Sequence, residues 1–262
     1  MEWIEALILG IIQGLTEFLP VSSSGHLELG KAILGIEAQD SLMFTVAVHG
    51  ATVLSTIIVF RKDIVELIKG FFKFQWNEET KYLTKIAISM IPVGIVGVFF
   101  KDELSQLFNG NVAFVGAMLL VTATLLAFSH FAPSGEKEIS FRNSFIIGIS
   151  QALAVIPGIS RSGATISTGL LLGIKSTKIA AFSFLMVLIP IIGENVLDIA
   201  GGNMSVSGGI STTSLIVGSV AAFITGLLAC TWMLNLVKKG KLIWFAVYCA
   251  VIGSIAILTQ IL

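Results

Sequence analysis

Six apolar stretches, at roughly 42–60, 83–100, 112–131, 179–198, 214–237 and 242–261, set the tightest limit on what this chain can fold into. Each is close to the ~20 mostly apolar residues that a helix needs to cross a bilayer. Composition agrees: 12% of residues are charged, about half the ~25% of an average soluble domain. The expectation is an all-α integral membrane protein, one polytopic domain over 1–262 with six transmembrane helices and little mass outside the membrane. A net charge of zero argues against nucleic acid as a partner. Cys230 and Cys249 lie in apolar runs and read as small buried hydrophobes. The N-terminus has no basic region or small-residue cleavage site, so it is read as part of the fold rather than as a signal peptide.

Two further apolar regions, 1–35 and 143–173, are interrupted near their middles by Pro, Gly and several Ser. Each is expected to be a re-entrant helix–turn–helix that dips into the membrane and returns on the same side. If the six stretches each cross once, thirteen of the sixteen basic residues fall on one side. The clusters are 61–85, Lys137 with Arg142, Lys175 with Lys178, and Lys238, Lys239 and Lys241; Lys31 and Lys101 fall opposite. The positive-inside rule makes the basic side cytoplasmic. Both termini and the loops 101–111 and 199–213 then face out.

The chain also repeats itself. Shifted by 138 residues without gaps, 8–44 falls on 146–182 with twelve identities in 37 columns. Shared apolar composition does not account for Gln13/Gln151, Ser22/Ser160, Ser24/Ser162, Gly25/Gly163 and Gly35/Gly173. Three crossings separate the copies, so they should be inverted, with repeat 1 over about 1–131 and repeat 2 over about 139–262. In such architectures broken helices meet near the midplane and form the site.

Irregular backbone at membrane depth must be buried in protein or line a wet cavity. The first break reads Gln13-Gly-Leu-Thr-Glu17-Phe-Leu-Pro20-Val-Ser22-Ser23-Ser24-Gly25-His26, the second Pro157-Gly-Ile-Ser160-Arg161-Ser162-Gly163-Ala-Thr165. Gln13 and Glu17 share a helix face. The helices restarting after each break aim backbone N–H groups into the gap, which is a ready anion site. The copies have diverged: Glu17 aligns with Val155 and Ser23 with Arg161. A carboxylate, an imidazole, a guanidinium and many hydroxyls suit a phosphate, with a divalent cation on oxygen ligands. Blander readings stand beside these. Glu17 and Arg161 also fit a structural ion pair, His26 a satisfied core histidine, and Gln13 a packing group. Ser22 and Ser24 fit caps better than nucleophiles, and Gln151 and His49 read as structural. Glu194 and Asp198 read as interfacial, and His130 carries no argument.

Gln13-x-x-x-Glu17, the run Leu15-Thr-Glu-Phe-Leu-Pro-Val-Ser-Ser-Ser-Gly-His26 and Pro157-Gly-x-Ser-Arg-Ser-Gly-Ala-Thr165 resemble the signature motifs of the bacterial undecaprenyl-diphosphate phosphatases of the bacitracin-resistance type. The resemblance spans essentially the whole chain. It implies hydrolysis of undecaprenyl diphosphate to the monophosphate and inorganic phosphate, recycling the lipid carrier of peptidoglycan synthesis. It further implies a divalent cation, Mg²⁺ or Ca²⁺, and a site opening to the outer side of a bacterial plasma membrane. By motif position, Glu17 and Gln13 match the acidic, metal-holding pair and Ser23 and His26 a Ser–His element. Ser160, Arg161 and Thr165 match the phosphate-binding element, beside which Ser22 and Ser162 are expected to line the substrate. Gln13 stands where other members have Glu, so two carboxylate metal ligands are not expected. Three routes are open for the attacking group: Ser23 activated by His26, His26 itself, or water. The rival function from another class is a lipid flippase or other inverted-repeat transporter. Membrane lipids are expected partners, and a homodimer is left open.

Overall fold

The structure, a computed structural model, describes residues 1–36, 42–107, 110–132, 135–200 and 210–260. Some side chains inside these spans, including those of Glu194 and Asp198, lie outside the described set, as does most of the 199–213 loop. Both apolar regions with internal breaks form pairs of helices. The first gives α1 (Trp3–Phe18) and α2 (Ser23–Leu34), and the second gives α8 (Phe141–Leu153) and α9 (Arg161–Leu171). Between them lie α3 (Leu42–Val59), α4 (Arg61–Phe71), α5 (Glu78–Phe99), α6 (Lys101–Leu107) and α7 (Val112–His130). After them come α10 (Ser176–Met186), α11 (Leu188–Ala200), α12 (Thr212–Lys238) and α13 (Ile243–Leu258). Among the described residues the fold is all-helical, with one isolated bridge between Lys137 and Ile174.

All six apolar stretches fall on helices, but not on six equal ones. Glu78–Phe99, Val112–His130, Ser176–Leu197 and Thr212–Lys238 are long and apolar enough to cross a membrane. A fifth span exists if α3 is taken with α4, which leaves it at 77°. The last apolar helix, Ile243–Leu258, has 16 residues, short of a full crossing. The chain is a multi-pass membrane protein, and its outer surface fits that reading. Leu228, Trp244, Val98 and Phe99 are each at least 66% exposed, where a water-soluble protein would rarely leave so broad an apolar surface. One region read as a loop and one read only as a basic cluster contain helix. Residues 101–107 form α6, and the basic cluster at 61–71 is the amphipathic α4, whose Ile64, Leu67, Ile68 and Phe71 recur at helical spacing.

Close backbone approach sets the packing, as expected where lipid offers no hydrophobic drive between helices. α1 lies along α12, and α8 lies along α5. A Cβ on Gly10 would fall 2.3 Å from the Gly218 carbonyl oxygen, and one on Gly148 would fall 2.4 Å from that of Ser89. These glycines occupy matching columns of the repeat. So do Gly35 and Gly173, which both turn the chain at positive φ (69° and 78°), and Phe44 and Phe182, which are both fully buried.

Candidate active site

Proline chemistry opens the first break. The Pro20 ring disfavours helical backbone in the residue before it, and Leu19 is accordingly extended at φ −71°, ψ 145°. Two residues on, Ser22 takes a positive φ of 70°, a value rare for any residue but glycine. That backbone aims its hydroxyl at the first turn of α2, where it accepts from the Gly25 N–H at 3.2 Å. The second break does the same with different residues. Gly158 supplies the positive φ (95°), and Ser160 caps α9 by accepting from the Gly163 N–H at 3.1 Å. Two helix N-termini result, each with first-turn N–H groups that bond no described residue: Ser23 and Ser24 in α2, Arg161 and Ser162 in α9.

The breaks touch. A Cβ on Gly25 would lie 3.0 Å from the Gly158 Cα, and the Ser162 hydroxyl donates to the Leu19 carbonyl at 3.2 Å. Behind this contact, Thr122 of α7 accepts from the Ser160 N–H at 2.9 Å and donates to the Gly158 carbonyl at 3.0 Å. Glu17 stands at the junction, buried at 7% exposure. Its Oε1 pairs with the Arg161 guanidinium, 144 residues away in sequence. Its Oε2 accepts from the Ser23 hydroxyl at 2.7 Å and from the Gln13 amide at 2.9 Å. A small pocket opens beside the pair, with polar walls from Thr52, Thr56 and Ser183 and apolar ones from Val53, Phe184 and Ile191.

Four of the expected site residues, Gln13, Glu17, Ser23 and Arg161, thus form one hydrogen-bonded cluster. His26 is placed differently. Its Nδ1 faces the Ser22 carbonyl at 2.9 Å and its Nε2 faces the Tyr248 hydroxyl at 2.9 Å, with the two rings stacked 5.5 Å apart. A carbonyl only accepts, so Nδ1 carries a proton, and in the neutral imidazole the Tyr248 O–H donates to Nε2. No hydrogen bond joins His26 to Ser23 among the described residues. Ser23 bonds Glu17 instead, because on α2 the two side chains turn to different neighbours. The four hydroxyls expected to bind substrate have protein partners of their own. Ser22 and Ser160 are caps, and Ser162 ties the breaks together. Thr165, fully buried, donates into its own helix or to Ser183, 2.7 Å away on α10.

Two residues enter that the sequence did not single out for this site. Tyr248 comes from α13, carried by no local motif. His49, read as structural, sends Nε2 from α3 to 4.0 Å from Glu17 Oε2 while its Nδ1 donates to the Thr45 carbonyl. Gln151 meets Met90 Sδ at 3.8 Å.

A divalent cation needs oxygen donors. Among the described residues no three His, Cys, Asp or Glu side chains gather into a metal cage. Glu17 is the one carboxylate in the cluster, and beside it the buried Gln13 Oε1 has no hydrogen-bond partner. That donor set fits an ion held largely by substrate phosphates with one or two protein oxygens, the habit of Mg²⁺.

Comparison with known proteins places the chain in a family. The profile of the family described as "Bacitracin resistance protein BacA" matches residues 6–255. A curated protein of Bacteroides fragilis named undecaprenyl-diphosphatase is 57% identical over 265 aligned residues, covering 99% of both chains. Its namesake from Parabacteroides distasonis is also 57% identical, over the whole of both chains. One from Salinibacter ruber is 39% identical, over 98% of this chain and 99% of its own. With the family profile matched over residues 6–255 and relatives matched over their full length, the chain belongs to the BacA bacitracin-resistance protein family.

Proposed function

We propose that this protein hydrolyses undecaprenyl diphosphate to undecaprenyl phosphate and inorganic phosphate. The observation that carries the reading is the Glu17 carboxylate, bonded at once to Arg161 from the opposite break and to the Ser23 hydroxyl. Phosphoryl transfer depends mainly on positioning and charge neutralisation. Arg161 is matched to phosphate oxygens, and the N–H groups opening α2 and α9 add donors beside it. The Ser23 hydroxyl already points its proton at Glu17. In the proposed step Ser23 Oγ attacks the terminal phosphorus and Glu17 takes the proton. The bridging P–O bond breaks, and undecaprenyl phosphate departs with the bridging oxygen. Water then hydrolyses the phosphoserine to inorganic phosphate. The Ser22 carbonyl fixes the His26 tautomer, and the Tyr248 hydroxyl holds the ring in place. Glu17 and the Gln13 Oε1 would hold the cation, Mg²⁺ or Ca²⁺, which when bound neutralises charge on the diphosphate.

The same reading includes an inverted repeat whose broken helices meet within the membrane. The α1–α12 and α8–α5 pairs, their matching glycine contacts and the paired Ser22 and Ser160 caps support it. The site then opens to the outer face of a bacterial inner membrane, with the basic clusters inside. Phosphate release from undecaprenyl diphosphate by purified protein in detergent, with no membrane gradient, tests the assignment. Absence of release from folded protein supplied with Mg²⁺ or Ca²⁺ would favour a lipid transporter instead.

A further inference from the structure

Far from the cluster, α4 leaves α3 at 77°, so if α3 crosses the bilayer, α4 runs nearly along its surface. Ile64 and Leu67 fasten it to the core. Val65, Ile68 and Phe71 remain about half exposed, and Phe72, Phe74 and Trp76 just beyond are 64%, 85% and 62% exposed. These rings form a chain: Phe71 meets Phe72 at 5.6 Å, Phe72 meets Phe74 at 6.3 Å, and Trp76 stacks on Phe141. Trp is enriched at the headgroup level of a bilayer, and exposed Phe on an amphipathic helix suits the acyl boundary beside it.

Lys62, Glu66 and Lys69 share another face of α4. With Arg61, Lys73 and Glu79 of α5 they line an open groove of about 640 Å³, a volume within the range of small-molecule sites. Four cations face two carboxylates there, so the groove is net positive. Arg61 is partly engaged, donating to the Ile58 carbonyl at 2.8 Å. The ammonium groups of Lys62, Lys69 and Lys73 bond no described residue. Cations without partners beside an exposed aromatic row at the membrane surface form an amphipathic lipid-facing pattern. A net positive groove selects a net negative headgroup over a zwitterionic one.

We propose that this groove binds the headgroup of an anionic phospholipid, its phosphate on Lys62, Lys69 and Lys73 and its acyl chains alongside Phe71, Phe72 and Phe74. The site is separate from the Glu17–Arg161 cluster and does not depend on the reaction assigned to it. Native mass spectrometry tests it on the full chain in detergent, offered equal amounts of a phosphatidylglycerol and a phosphatidylcholine with the same acyl chains. Phosphatidylglycerol adducts should dominate, each lysine contributing about fivefold. The Lys62→Gln/Lys69→Gln/Lys73→Gln variant should bind both lipids alike, whereas Lys238→Gln/Lys239→Gln/Lys241→Gln should keep the preference. Equal binding by the unaltered protein overturns the site, as does a preference that survives the groove substitutions. Displacement of the lipid by millimolar inorganic phosphate overturns the lipid assignment in favour of a free-anion site. Should the triple variant not fold, Lys69→Gln alone must still weaken the preference about fivefold, and an unchanged ratio sinks the proposal.

Discussion

The two breaks share a frame and differ in chemistry. In both, a Gln sits on the helix before the break, a Ser caps the helix after it, and a Gly two residues inside that helix donates to the cap. Both glutamines even leave a buried side-chain oxygen without a hydrogen-bond partner. Yet the first break holds Glu17 and Ser23 where the second holds Val155 and Arg161. The frame brings two helix N-termini together. Divergence at two columns turns them into an acid with its hydroxyl on one side and a fixed cation on the other. Two identical breaks would place two acids or two cations at one junction, where like charges repel.

The sharpest way to break the comparison is to erase the divergence. Glu17→Val gives the first break the second's residue and should abolish phosphate release, as should Arg161→Ser in the other direction. Arg161→Ser also strands the buried Glu17 carboxylate, at a cost of about 3–5 kcal/mol, whereas Glu17→Val leaves the part-exposed Arg161 unpaired and should cost less. Thermal unfolding in detergent would show that loss beside the activity assay, and near-normal turnover in either variant would sink the site. Closing the matched helix contacts comes next. Gly10→Leu and Gly148→Leu should each destabilise the fold by about 1–3 kcal/mol or more through overpacking, seen as lower melting temperatures. If only one responds, the packing equivalence of the repeats fails.

A smaller effect separates the glutamines. Gln13→Leu should lower phosphate release and weaken its dependence on added Mg²⁺ or Ca²⁺ in a chelator and add-back titration. Gln151→Leu should leave both unchanged, and equal responses would deny Gln13 a special role. Tyr248→Phe removes one neutral hydrogen bond from His26, worth about 0.5–1.5 kcal/mol, or about two- to tenfold in turnover. An unchanged kcat and pH profile would show that His26 needs no such orientation. The caps close the series: Ser22→Ala and Ser160→Ala should each cost about 1 kcal/mol, measured by thermal unfolding.

Much of the frame could be read from residues in order. Apolar length located the helices, Pro20 and the Ser/Gly runs located the breaks, and the 138-residue shift paired them. The shortfall at Ile243–Leu258 and the helix at 61–71 were harder. Hydropathy marks an apolar run without fixing where its helix stops, and a basic cluster hides the helical spacing of its few apolar residues. Within the site, Gln13 with Glu17 was legible because four residues make one helical turn. That Ser23 bonds Glu17 and not His26 was not legible, because closeness on α2 does not say which neighbour each side chain turns toward. Tyr248 and His49 come from α13 and α3, and nothing in sequence links them to Glu17 or His26.

The sequence by itself determined that this chain spans a membrane, breaks twice in equivalent places and carries one acid and one cation at those breaks. Length, apolarity and backbone chemistry are local, so the order of residues suffices for them. Only the tertiary structure decided that Glu17 reaches Arg161 across 144 residues, that Ser23 leans on Glu17 rather than His26, and that Tyr248 claims the imidazole. Those choices depend on which helices approach one another and at what distance. Glycine contacts between α1 and α12 and between α8 and α5 set that distance, and no run of neighbouring residues records it.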